Sequence, residues 1–299
     1  DYLSCHMNNE AVCLAVERGL EIEVSDRVKV IRTIMSELTR LSSHQLWWGV
    51  MGMDLGAITS FLYGFRDREM ITDIFEETCG ARLTMNYNIP GGVMFDIPEN
   101  FQTKVKEFIT HFRQKLPEYD QLMTNNIIFR NRTEGIGILT KEDAISYGVT
   151  GPSGRASGWS NDIRKSHPYS AYDRVDFKEI IYTEGDSFAR YKARIEEMWE
   201  SMNIIEQLID NIPEGNYQEK TRAVIKLPKM EIYQSVETAR GELGVYINSD
   251  GKKNPYRVKF RSPGFSNLNA LNTMAKGGKI ADLVTIMSTI DLVIPDIDR

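Results

Sequence analysis

Three cysteines in 299 residues, Cys5, Cys13 and Cys79, with no CxxC pair among them, offer neither a disulfide framework nor a zinc site. A reducing compartment fits that usage. Cations are also in short supply: 36 Lys and Arg stand against 42 Asp and Glu, a net charge of −6, and they are scattered rather than striped, which argues against nucleic acid as the main partner. Lys252-Lys253 and Arg164-Lys165 are too short to be basic patches. There is no signal peptide, no repeat and no low-complexity run, and Asp1 is no natural start, so further sequence is expected upstream. Uninterrupted apolar runs are missing too. The nearest is Leu46 to Phe65, 20 residues with one charge, Asp54, and with Gly49, Gly52, Gly56 and Gly64 inside it. That charge would cost about 3 kcal/mol in a bilayer, so a helix buried within a bundle is expected instead.

What is present has helical rhythm. Apolar residues recur at Val28, Ile31, Met35, Leu38 and Leu41, at Phe101, Val105, Phe108 and Phe112, and from Phe188 to Leu208. Asp186 is placed to cap the last of these, Pro213 and Gly215 to end it, and Pro117 to start or kink another helix. Alternation at Leu243, Val245 and Ile247, a turn at Asp250-Gly251, and alternation at Tyr256, Val258 and Phe260 predict a β hairpin over about 241–262. A final helix over 276–290 should bury Ile280, Leu283, Val284, Met287 and Ile290. The expected fold is therefore mainly α with small β appendages, a long-helix bundle over about 1–230 within a single domain spanning 1–299.

The densest chemistry lies in Gly151 to Asp173, GPSGRASGWSNDIRKSHPYSAYD. A flexible linker would be bland, whereas this stretch carries Arg155, Asp162, Arg164, His167, Tyr169 and Tyr172 between glycines, so it should be an ordered loop with a purpose. Asp54, amid Met51, Met53, Leu55 and Ile58, should be poorly hydrated and able to hold a proton near neutral pH, or else serve as a cap or pair with Arg66 or Arg68. His44 could be a core histidine or line a pocket, and Arg40 could simply bond Glu37 one turn earlier.

The Gly151–Asp173 loop resembles the signature of the 49-kDa-type subunit, the D subunit, of NADH-quinone oxidoreductase (respiratory complex I). The resemblance extends through Asp1-Tyr2, Glu37 to Leu41 with His44, Met53 to Ala57, Pro90-Gly91-Gly92, Asn131-Arg132-Thr133, Gly241 to Gly244, Pro263-Gly264-Phe265 and the closing Asp291 to Arg299. It implies a fold similar to the large subunit of nickel-iron hydrogenases, whose two CxxC pairs are absent from this sequence. It also implies a quinone-binding subunit of a proton-translocating enzyme that passes electrons from NADH to quinone, ubiquinone or menaquinone. The chain would bind no cofactor alone and would share the quinone chamber with the B subunit, which carries the terminal 4Fe-4S cluster, while touching the C, I and H subunits. Its place would be peripheral, on the cytoplasmic side of the bacterial inner membrane.

By the same resemblance, Tyr2 donates to a quinone carbonyl and Asp54 serves proton supply. His44, Val50, Met51, Phe61 and Val293 line the quinone cavity, and Arg40 and Arg155 lie near the partner's cluster. One departure is Thr84, where many members carry histidine; losing that imidazole implies a low-potential acceptor such as menaquinone. A non-catalytic scaffold in a respiratory or hydrogenase-like complex is the alternative expectation.

Overall fold

The computed structural model describes residues 1–222 and 224–298; Arg299, the last residue of the closing motif, lies outside them. Helices α1 (Cys5–Leu20), α2 (Asp26–Asp54) and α3 (Ile58–Cys79) open the chain, followed by the short strands β1 (Asn88–Ile89) and β2 (Gly92–Val93). Next come α4 (Phe101–Tyr119), α5 (Ile127–Thr133), α6 (Lys141–Tyr147), α7 (Gly151–Arg155), α8 (Ile163–Ser166) and α9 (Ser187–Ile209). The strands β3 (Lys229–Thr238), β4 (Gly241–Asp250) and β5 (Arg257–Arg261) precede α10 (Pro263–Asn269), α11 (Leu271–Ala275), α12 (Ile280–Ile290) and α13 (Ile294–Ile297).

Helix α2 is the axis. The Ser25 side chain caps it by accepting from the Val28 amide, and its 29 residues run about 44 Å, with α3, α9 and α12 packed around it. Val28, Ile31, Met35, Leu38 and Leu41 are fully buried, as their spacing predicts. The apolar stretch from Leu46 is not one helix. It breaks at Leu55–Ala57, where Gly56 adopts φ 91°, and α3 folds back along α2. The return is close enough that a Cβ on Gly64 would stand 2.6 Å from the Gln45 carbonyl oxygen. Small residues at this crossing let two backbones meet, which is why the glycines interrupt the run. No helix among the described residues is long and apolar enough to cross a membrane.

Helix α9 starts where expected, with Asp186 accepting from the Ala189 amide. Pro117 instead sits in the last turn of α4 and leads into a π turn at Asp120–Thr124. The expected hairpin is the outer part of a three-stranded antiparallel sheet in the order β3-β4-β5. Strand β3 pairs with β4 over its whole length, Lys229 opposite Asp250 and Thr238 opposite Gly241, mostly in the stretch between the expected bundle and the expected hairpin. Helix α1 packs on the β3 side of this sheet.

The last helix departs most from expectation. It begins at Ile280 rather than Lys276, and of the five residues expected to be buried only Ile290 is: Ile280 is 93% exposed, and Leu283, Val284 and Met287 are well exposed. The face against the bundle is made by Thr285, Ile286, Thr289 and Ile290.

Candidate functional site

Three distant stretches meet in an open hollow of about 310 Å³. The chain start gives Tyr2 and Leu3, the end of α2 gives Trp47, Val50, Met51 and Asp54, and the C-terminal end gives Met287, Ser288, Asp291, Leu292 and Val293. Two hydrogen bonds tie α12 to α2 across the floor: Trp47 Nε1 donates to the Ser288 carbonyl (2.7 Å), and Ser288 Oγ donates to Asp54 Oδ2 (2.7 Å). Cys5 Sγ donates to the Tyr2 carbonyl at 3.1 Å, which fixes the backbone from which the Tyr2 ring, 42% exposed, reaches the rim.

Asp291 was not picked out from the sequence as a site residue. It terminates α12 in the left-handed conformation, φ 60° and ψ 60°, unusual for a non-glycine residue and typical of sites where surrounding contacts impose the backbone. Arg240, fully buried, imposes it here by donating to Asp291 Oδ1 (3.0 Å) and to its carbonyl (3.1 Å), while a third bond reaches Asp1 Oδ2 (3.0 Å). Arg194 stands behind the wall, its guanidinium 4.8 Å from the Trp47 ring centre, donating to the Thr289 carbonyl at the end of α12. The only sequence signals for this group were the closing motif that begins at Asp291 and the GELG motif that follows Arg240.

Five expected residues line the hollow: Tyr2, Val50, Met51, Asp54 and Val293. Asp54 is nevertheless exposed, not buried, and bonds Ser288 instead of Arg66 or Arg68, because it is the last residue of α2. His44 does not line the hollow. It is buried one turn before Trp47, where burial pushes its pKa down more than Glu197, bonded at 3.1 Å, pulls it up. The ring is therefore neutral at pH 7 and donates from Nε2 to the carboxylate. Phe61 is also outside the lining, packed at a tilt against Phe65 with 4.4 Å between ring centres.

Arg40 and Arg155 belong to a buried ionic cluster. Glu37 accepts from Arg40, from Arg164 (3.2 Å), from the Tyr172 hydroxyl (2.7 Å) and from Ser201 (2.6 Å). Burial pushes the Glu37 carboxyl up, but Arg40 and Arg164 with the two hydroxyls hold it down at about 2. Arg155 pairs with Glu197 and with Glu237 (2.7 Å), and Arg164 grips Asp162 (2.7 Å). Glu237 is different: burial, only partly offset by Arg155 and reinforced by the like charge of Asp162, pushes it up to about 7. The charged loop Gly151–Asp173 is thus ordered, as expected, with Arg155, Asp162 and Arg164 turned into the core and His167 left outside. Arg32 makes a comparable buried pair with Glu17 at 2.7 Å.

No group of three or more His, Cys, Asp or Glu able to hold a metal ion occurs among the described residues. The class defined is a mainly α protein organised around a buried ionic core, with an open, largely apolar hollow carrying a phenol and two carboxylates. The family model of the respiratory-chain NADH dehydrogenase 49 kDa subunit matches residues 54–226 and 220–299. Over all 299 residues the chain is 56% identical to the NADH-quinone oxidoreductase C/D subunit of Bacteroides fragilis, covering 56% of that protein. It is 46% identical to the NADH-quinone oxidoreductase D subunit of Bacillus cereus, covering 82% of it. The chain thus spans little more than half the length of the C/D relatives, and it belongs to the 49 kDa subunit family of the respiratory-chain NADH dehydrogenase.

Proposed function

We propose that this chain is the quinone-binding subunit of a proton-translocating NADH-quinone oxidoreductase, where electrons from NADH reach quinone through a 4Fe-4S cluster held by the B subunit. The observation that carries this reading is the hollow itself, which gathers Tyr2, Val50, Met51, Asp54 and Val293 from three stretches far apart in sequence. Its volume of about 310 Å³ lies at the small end of ligand pockets, enough for a head group, and its walls are mostly apolar with polar groups at few points.

The division of labour follows from side-chain chemistry. Quinone reduction adds two electrons and two protons, so charge grows on the carbonyl oxygens as electrons arrive. The Tyr2 phenol can donate a hydrogen bond to such an oxygen and supply a proton as the charge develops. Asp54, exposed and bonded to Ser288, is placed to exchange protons with solvent and with the hollow. Met51 and Met287 offer soft walls to an isoprenoid chain. Arg40 and Arg155 are both buried, so any influence on the neighbouring cluster acts through the field of the ionic core and not by contact.

The exposed apolar face of α12 supports a docked position within a larger assembly. The partners of this reading are the B, C, I and H subunits, and its place is peripheral, on the cytoplasmic side of the bacterial inner membrane. A photoaffinity quinone analogue applied to the detergent-solubilised complex tests the reading. Labelling of peptides containing Tyr2 or Val293, competed by unlabelled quinone, is the expected result. Labelling confined to other subunits would leave the chain as a non-catalytic scaffold.

A further inference from the structure

The outer face of the three-stranded sheet, turned away from α1, is used by neither the hollow nor the ionic core. Side chains alternate along a strand, so the register sets Tyr233 of β3, Tyr246 of β4 and Lys259 of β5 in one row on this face, with Glu231, Asn248 and Arg257 in the next. The opposite face, with Ile232, Val245 and Ile247, is buried, and α1 packs on it. At one end the outer face is also covered, since α8 packs on β3 and Glu237 is buried. From Tyr233 to the hairpin tip it is bare: Tyr233 is 47% exposed and Tyr256, at the tip, 77%. A Cβ on Gly244 would stand 2.2 Å from the Tyr233 hydroxyl oxygen, so the Tyr233 ring lies along the sheet over this glycine and forms a floor. Its hydroxyl donates to Glu242 Oε1 at 2.9 Å.

Lys252-Lys253 alone is too short to make a basic patch, but folding adds to it. Ser249 Oγ donates to the Leu227 carbonyl (3.0 Å) and Lys229 stands opposite Asp250, so the stretch from Lys226 to Lys229 lies beside the hairpin tip. Lys226, Lys229, Lys252, Lys253, Arg257 and Lys259 thereby gather at one end of the sheet, all of them exposed, in a chain whose net charge is −6. The acids of this sheet end are Glu231, Glu242 and Asp250, and Asp250 pairs with Lys252 at 2.7 Å. The other five cations form no ion pair among the described residues. Like charges on neighbouring strands are destabilising, and a layer of opposite charge laid across them offsets that cost.

We propose that this face docks an acidic segment of another protein subunit, with Tyr233 as the floor and Lys253, Arg257 and Lys259 as the basic rim. An aromatic centre bordered by arginine and polar groups is the composition of protein interfaces. A long polyanion would run past the patch into the field of a chain of net charge −6, whereas a short acidic segment meets only the cations within a Debye length of about 8 Å. The family is one of subunits of a larger enzyme, so protein neighbours are at hand. The surface shares no residue with the hollow or with α12, and docking there does not depend on what the hollow binds.

The test uses the native complex with the full-length polypeptide. Amine acylation of Lys229, Lys253 and Lys259 should run about 10-fold more slowly in the complex than after unfolding in urea, as for side chains sealed within an interface. Zero-length carbodiimide coupling should join Lys253 or Lys259 to an Asp or Glu of another subunit, and about 1 M salt, which shortens the Debye length to about 3 Å, should cut that coupling about 10-fold. Arg257→Glu combined with Lys259→Glu should lower recovery of the assembled complex about 10-fold on blue-native gels. Replacing the coupled acid of the partner by Lys should restore assembly, which a folding defect in this chain would not allow. Lysines as reactive in the complex as in the unfolded chain, coupling confined to acids of this chain, a charge-reversed variant that assembles normally, or protection lost on nuclease treatment or delipidation would each overturn the proposal.

Discussion

Glu37→Gln is the sharpest probe of the ionic core. The substitution keeps the shape of the side chain but leaves one accepting oxygen in place of the two that take the Tyr172 and Ser201 hydroxyls, and it removes the charge that faces Arg40 and Arg164. Two routes give its magnitude. Moving a carboxyl from 4.5 to about 2 corresponds to about 3 kcal/mol of preference for the ionised form in the folded state. Removing one partner from a buried ion pair, which leaves the others uncompensated, costs about 3–5 kcal/mol. Both point to about 3 kcal/mol or more. Because the folded value is depressed, this contribution is fully present above pH 4.5 and is lost as pH falls toward 2. Denaturant unfolding of the purified chain, run at pH 7 and at steps down to pH 3, reads both quantities. The variant should be less stable at pH 7 and should show a shallower loss of stability over the acid range than the unaltered chain. A variant within 1 kcal/mol at pH 7, or an unchanged acid slope, would refute the assignment of Glu37 as the charged hub.

Glu237→Gln offers the contrast: with its carboxyl pushed up to about 7, the side chain is near half-protonated at neutral pH, and the same measurement should show a loss of no more than about 1 kcal/mol. Tyr2→Phe should lower quinone reduction about 10- to 100-fold in membranes with assembly intact, read by blue-native electrophoresis and quinone turnover. Ser288→Ala removes the bond that ties Asp54 to α12 and should lower quinone turnover with assembly intact, read by the same two assays. Val284→Asp, on the outward face of α12, should leave the melting temperature of the isolated chain unchanged and reduce recovery of the assembled complex.

The long helices were legible because a 3.6-residue period records burial directly; the quoted positions of α2 and α4 are buried, and in α9 only Phe188, at its first turn, is half-buried. The same period misled at α12. An apolar stripe says that something covers it, and on this chain the bundle lies against the opposite side, through Thr285, Ile286 and Thr289. Asp54 failed for a related reason: Met51 and Leu55 are its neighbours along the chain, but the helix ends between them and lifts the carboxylate to the surface. Strand β3 could have been found from the alternation of Met230, Ile232, Gln234 and Val236, with Gln234 weakening the signal. The hollow was partly readable, through Tyr2, Val50, Met51, Asp54 and Val293. Asp291 and Arg240 were not, since a left-handed aspartate and the guanidinium that holds it have no local pattern. The burial of Arg155, Asp162 and Arg164 was equally hidden, because a loop rich in charge looks like a wet surface until its counter-charges on α2, α9 and β3 are known.

The two bonds from Trp47 and Asp54 both end on Ser288, and Ser288 belongs to the helix whose outward side is bare hydrocarbon. A neighbour that seats itself on Ile280 and Val284 pushes on a short rod whose inner surface is fastened to the floor of the hollow. Docking and cavity shape are therefore mechanically linked through one element of 11 residues. If a neighbour docks on α12 as proposed, a chain studied alone presents that rod without its load, and its affinity for a ligand in the hollow should differ from that of the assembled particle.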